Sequence, residues 1–76
     1  MRADSTAGAT RPVAQIAAAA LGRPVPLEVC YSARGFYLGT YVDDEPYSRE
    51  SAEYWTTREA AEAALAGGQW TQRQWA

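Results

Sequence analysis

From Leu27 to Val42 the chain reads as two period-two runs separated only by Arg34-Gly35. In the first run Leu27, Val29, Tyr31 and Ala33 share one side, and Glu28, Cys30, Ser32 and Arg34 share the other. In the second, Phe36, Leu38, Thr40 and Val42 oppose Tyr37, Gly39 and Tyr41. Successive strand side chains point to opposite faces, so each run predicts a half-buried strand. Arg34-Gly35 predicts the tight turn between them, with Gly35 free to take a positive φ. An antiparallel hairpin is thereby expected, and the rest of the chain must cover its apolar face.

Asp43-Asp44-Glu45-Pro46 is a turn by composition. A third antiparallel strand is expected from Tyr47, with a bulge or turn in Ser51-Ala52-Glu53 before Tyr54. Thr56-x-x-Glu59 reads as a capping box, and Trp55 stands where a hydrophobic staple residue belongs. A helix over 57–66, stopped by Gly67-Gly68, follows. Its dry side is expected to carry Thr57, Ala60, Ala61 and Ala64, with Leu65 at the edge.

Upstream, Pro12 suits a first helical position and Gly22 with Pro24 a stop, which predicts a short helix over 12–21. Val13, Ile16, Ala17 and Ala20 share one of its faces. Pro24-Val25-Pro26 is an extended connector. Residues 1–11 are small and polar and read as a flexible N-terminal tail, leaving 12–76 as a single small domain. Residues 71–75 are expected as an edge strand or a frayed tail. The predicted class is α+β: a short N-terminal helix, a three-stranded antiparallel meander, one C-terminal helix packed on the sheet, and a short tail.

At 76 residues and 8.3 kDa the folded surface is roughly 4,600 Å² and the core is small. A standard interface of about 800 Å² takes roughly a sixth of that surface, whereas a deep substrate cavity has little room. There is no histidine, and Cys30 is the lone cysteine. An imidazole base, an internal disulfide and a Cys/His zinc site are therefore not available. No catalytic, metal-binding or cofactor-binding residue is assigned, and the expectation is a chain that is not an enzyme. Lysine and asparagine are absent as well, a coding bias of GC-rich bacterial genomes and their phages and plasmids. The only candidate for a signal-peptide core, 13–21, is rich in alanine and preceded by Asp4, so a cytoplasmic setting is expected.

One phenylalanine, five tyrosines and three tryptophans are the compositional anomaly. Phe36, Tyr54, Trp55 and Trp70 are assigned to the core. Tyr37 and Tyr41 straddle Gly39 and become core if the N-terminal helix covers their face, or an exposed pair if it does not. With the acidic tip Asp43, Asp44 and Glu45 they are the candidate partner-binding face, since interfaces favour large side chains with polar tips and charge steers encounter. Arg34, Arg49, Arg58 and Arg73 could form a basic patch, with Glu28, Glu50 and Glu53 expected to neutralise it by cross-strand pairing. Cys30 reads as a structural thiol. An alternative nucleic-acid surface is Arg34, Arg49 and Tyr47, although a net charge of −2 lacks the basic excess of such proteins.

The segments Gly35-Phe36-Tyr37-Leu38-Gly39-Thr40, Pro46-Tyr47-Ser48-Arg49-Glu50-Ser51 and Tyr54-Trp55-Thr56-Thr57-Arg58-Glu59-Ala60-Ala61 resemble small uncharacterised proteins of proteobacterial phages and plasmids. The resemblance spans 31–73. It implies the mobile-element class that includes anti-CRISPR inhibitors, which act by covering a host machine's binding surface. The strand–strand–strand–helix order is also similar to AP2-like DNA-binding domains, but the sheet lacks their Arg, Lys and Trp run and its turn is acidic. The expected partner is a host protein or protein complex, with nucleic acid as the alternative. A structural homodimer through the apolar N-terminal helix is the third expectation. No membrane association is expected.

Overall fold

A computed structural model of the chain describes residues 12–74. Along these residues run α1 (Gln15–Leu21), β1 (Glu28–Ser32), β2 (Gly35–Val42), β3 (Glu45–Arg49) and α2 (Arg58–Gly67). The strands form one antiparallel sheet in the order β1-β2-β3, the predicted meander between two helices. The N-terminal tail and Trp75 lie outside the described residues.

The β1–β2 hairpin keeps the expected parity, with Val29 opposite Leu38 and Cys30 opposite Tyr37. Gly35 takes φ 128°, and a β-carbon there would press on the carbonyl of Trp55. The acidic turn is tighter than predicted. Asp43 and Asp44 alone make it, at φ 54° and 66°, while Glu45 and Pro46 already belong to β3. Two consecutive positive φ values are what a two-residue hairpin of right-handed twist requires. Proline is tolerated in β3 because the strand is at an edge of the sheet. The register slips between Thr40 and Tyr41, which leaves Tyr47 as the extra residue of a bulge.

The expected irregularity before Tyr54 has a definite form. The carbonyl of Leu38 accepts from both Glu50 N (2.8 Å) and Ser51 N (3.0 Å), and the Ser51 hydroxyl accepts from Leu38 N. The chain rejoins β2 where Trp55 pairs with Phe36. The core gathers Ala14, Ala17, Val25, Leu27, Leu38 and Ala61, with Leu21, Val29, Phe36, Trp55, Leu65 and Trp70 packed against it. Both helices thus lie on the Leu38 side of the sheet. Their alanines let the helices approach closely, and the tryptophans fill what remains.

Helix boundaries moved. In α2 the N-cap is Thr57, not Thr56: its hydroxyl accepts from Ala60 N at 3.1 Å, so Glu59 falls in the first turn rather than closing a capping box. Ala61 and Ala64 are buried, but Thr57 and Ala60 are exposed. Gly68 at φ 71° ends the helix. In α1 the start is Gln15, because Pro12 to Ala14 stay extended alongside Val25 to Leu27. That shift rotates the helix: Ala14 and Ala17 are buried, whereas Val13 is 49% exposed and Ala20 is exposed.

The N-cap of α1 is Ala14, which offers no side-chain acceptor. Glu50, fully buried and 34 residues beyond Ile16, does the capping. Its carboxylate accepts from Ile16 N (2.9 Å) and Ala17 N (3.0 Å), two of the amides that a helix start leaves without partners. Ser48 Oγ (2.6 Å) and Gln72 Nε2 (2.8 Å) complete two bonds per oxygen. Thr40 stands 2.8 Å behind Ser48 and orients its hydroxyl. Gln72 pairs with Ser51, and Thr71 N donates to Glu53, so the end of the described chain is ordered against the bulge.

Candidate interaction face

Because both helices cover the Leu38 side, the opposite side of the sheet carries Glu28, Cys30, Tyr37, Gly39, Tyr41, Tyr47 and Arg49 with neither α1 nor α2 over it. The open-face alternative for the tyrosines therefore holds, but Tyr37 and Tyr41 are not an exposed pair. Tyr37 is only 7% exposed. Its ring packs over Gly39, where a β-carbon would collide with both the ring and the Ser48 carbonyl. Tyr54 meets it edge-on, ring centres 5.9 Å apart. Cys30 lies beneath, fully buried, beside Tyr37 and Tyr41. Tyr41 is half-buried and Tyr47 is exposed.

These contacts show in the acid–base properties. Burial pushes the Tyr37 phenol up to about 12, and the neighbouring Cys30, Tyr41 and Tyr54 add to the shift. Burial, with the Glu28 carboxylate nearby, pushes the Cys30 thiol above its ordinary value, the reverse of what an activated nucleophile needs. On the helix side, burial pushes the Glu50 carboxyl up, and bonds from Ser48, Ile16, Gln72 and Ala17 overcome that push and hold it below its ordinary value.

The sequence placed Tyr54 in the core with Phe36, Trp55 and Trp70. It belongs to the open face instead. The doubled bond at Leu38 inserts a residue, so side-chain parity reverses between Arg49 and Trp55, and Tyr54 emerges beside Arg49. The Arg49 guanidinium lies 4.8 Å from the Tyr54 ring centre and donates from Nη1 to its hydroxyl oxygen, while Nε is buried without an acceptor. Arg34 reaches the same ring at 5.9 Å. Arg73 donates to the Arg49 carbonyl (3.3 Å). Arg58 is on the other face, over Phe36 at 5.3 Å and paired with Glu62.

The expected cross-strand neutralisation is absent. Glu50 caps α1 and Glu53 holds Thr71 N, so neither meets an arginine. Among the described residues no carboxylate pairs with Arg34 or Arg49, and no cation pairs with Asp43, Asp44 or Glu45. Arg34 stands at the Gly35 end of β2, Arg49 is paired with Gly39 and reaches the Tyr54 ring that Arg34 also reaches, and the acidic turn follows the Val42 end. The open face is consequently dipolar along its strands, with the tyrosines between. Of the nucleic-acid candidates, Arg34 and Arg49 converge on Tyr54, while Tyr47 sits further along, toward the acidic turn.

Among the described residues no helix is long and apolar enough to cross a membrane, and no cluster of three metal-ligating side chains occurs. No protein-family model, curated protein or solved structure matches the chain.

Proposed function

We propose that this chain is a non-catalytic protein-binding module that works through the helix-free face of its sheet. The carrying observation is that four tyrosines and two unneutralised arginines occupy a face that neither helix covers. Tyrosine and arginine give much contact area per ordered side chain, which is why interfaces concentrate them. The one thiol is buried and shifted away from reactivity, which also favours contact over chemistry. We favour occlusion of a host machine's surface, in the manner of small anti-defence inhibitors of mobile elements, as the mode of action. It suits a domain of this size and the resemblance in 31–73.

The test is affinity capture from the lysate of a GC-rich bacterium. The wild-type chain is compared with Tyr41→Ser/Tyr47→Ser and with Ala19→Ser/Ala20→Ser on the outer side of α1. Loss of the captured protein with the first pair and retention with the second is expected. Equal capture by both removes the sheet face from the mechanism.

A second reading, a single-stranded nucleic-acid platform, is favoured by the convergence of Arg34 and Arg49 on the Tyr54 ring. Its affinity for an oligonucleotide must fall steeply with salt, and a flat response ends it.

A further inference from the structure

We infer that the helix-free face takes a second copy of this chain, docked face to face with the strands of the two copies antiparallel. Each acidic turn then meets the arginine pair of the other copy. Three observations carry this. Arg34 and Arg49 lie within 5.9 and 4.8 Å of one ring, and no carboxylate among the described residues answers them. Asp43, Asp44 and Glu45 are exposed at the opposite end of β2, equally unanswered. The surface between is Tyr41 and Tyr47 around the closed centre of Tyr37 and Gly39, with the half-buried Glu28, opposite Gly39 at the β1 edge, as a further carboxylate that no arginine among the described residues pairs with.

A twofold axis in the plane of the face, crossing β2 near its middle, places positive end over negative end twice. An isologous contact of this kind satisfies both ends with a single arrangement. A uniformly anionic polymer lying along the strands meets the arginines favourably and the acidic turn unfavourably. The dipole therefore selects a protein partner of matching polarity, and the chain itself has one. Eight residues of β2 and three strands give a face of roughly 26 by 14 Å. That is about half the ~800 Å² per partner of a standard interface, so the dimer is weak, reversible and salt-sensitive. Such a dimer covers the face until another protein displaces it.

The experiment is sedimentation velocity on the purified full chain from roughly 10 μM to 1 mM, at low and high salt, a range suited to a dissociation constant near about 100 μM. Two charge variants accompany it. Arg34→Glu alters an exposed side chain at the basic end. Asp43→Asn/Asp44→Gly/Glu45→Arg reverses the other end while giving the turn the residues such turns prefer. Circular dichroism verifies that each is folded. The wild type is expected to dimerise at low salt and dissociate at high salt. Each variant alone is expected to bind itself at least tenfold more weakly, and an equimolar mixture to regain the dimer, because the acidic turn of the first variant then meets the intact arginine pair of the second, and the introduced glutamate meets the introduced arginine. A wild type that stays monomeric throughout, or variants that dimerise as well alone as mixed, overturns the inference. Capture of a foreign protein from lysate is read separately, so a failed dimer and a failed binding module are distinguishable.

Discussion

Glu50 caps the helix that begins at Gln15: its carboxylate accepts the backbone N–H of Ile16 at 2.9 Å from a position 34 residues along the chain. The same group accepts from Ala17, Ser48 and Gln72. Helix α1 has seven residues and no local side-chain cap, too few to persist without tertiary contacts.

Glu50→Gln leaves the shape but removes the charge and at least one acceptor. Loss of about 2–3 kcal/mol is expected from chemical denaturation, since charge-assisted bonds to buried groups are of that order. The wild type follows from the direction of the shift. A carboxyl held below its ordinary value stabilises the fold above the unfolded value of about 4.3, and that contribution is lost as pH falls through the folded value. The stability difference between wild type and Glu50→Gln must therefore shrink in acid below about pH 4. A difference independent of pH would show that the carboxylate is not the stabilising species.

Tyr37 gives the opposite sign at the alkaline end. Its phenol is held neutral up to about 12, so its contribution is complete below the unfolded value near 10 and is lost as pH rises toward 12. Ultraviolet titration of the folded chain should show one tyrosine ionising late, and Tyr37→Phe should delete that late step. Cys30 beneath it should react with thiol reagents only as fast as the fold opens.

Asp43 and Asp44 hold two consecutive positive φ values without a glycine. Asp44→Gly should raise stability by about 0.5–1 kcal/mol, because glycine reaches the left-handed region without a steric cost. A lowered melting temperature would indicate that the Asp44 side chain stabilises the turn by another route.

Gly39 has no room for a side chain between the Ser48 carbonyl and the Tyr37 ring. Gly39→Ala should destabilise by about 3 kcal/mol or more, by forcing β3 from β2. Thermal unfolding measures it, and a change below about 1 kcal/mol would mean the strand pair yields easily.

Much of the architecture was legible because its determinants are local. Period-two alternation from Leu27 to Val42, Gly35, and the Gly67-Gly68 stop each act within a few residues, and the hairpin and α2 follow from them. What escaped was set over distance. The start of α1 depends on Glu50, which no pattern near Gln15 announces, and Pro12 instead stays in the extended segment beside Leu27. Tyr54 changed faces because Leu38 O accepts two amides, a single inserted residue that reverses every side chain after it. Arg34 and Arg49 were recognised as candidates, but their ring partner and the diversion of Glu50 and Glu53 to backbone amides were not readable from spacing. The signal available in hindsight is the Ser-Arg-Glu-Ser run at 48–51, whose short hydroxyl residues favour side chain-to-backbone bonds over continued strand pairing.

Gln72 and Ile16 bond the same carboxylate oxygen, so the two outer segments of the described chain are neighbours in space. A covalent join between them by a short flexible linker spans little distance. The polypeptide could then be reopened at Asp43-Asp44, turning the hairpin tip into new termini. Continuity through that tip is thus a matter of genetic order rather than of folding, and a circularly permuted gene should encode the same domain.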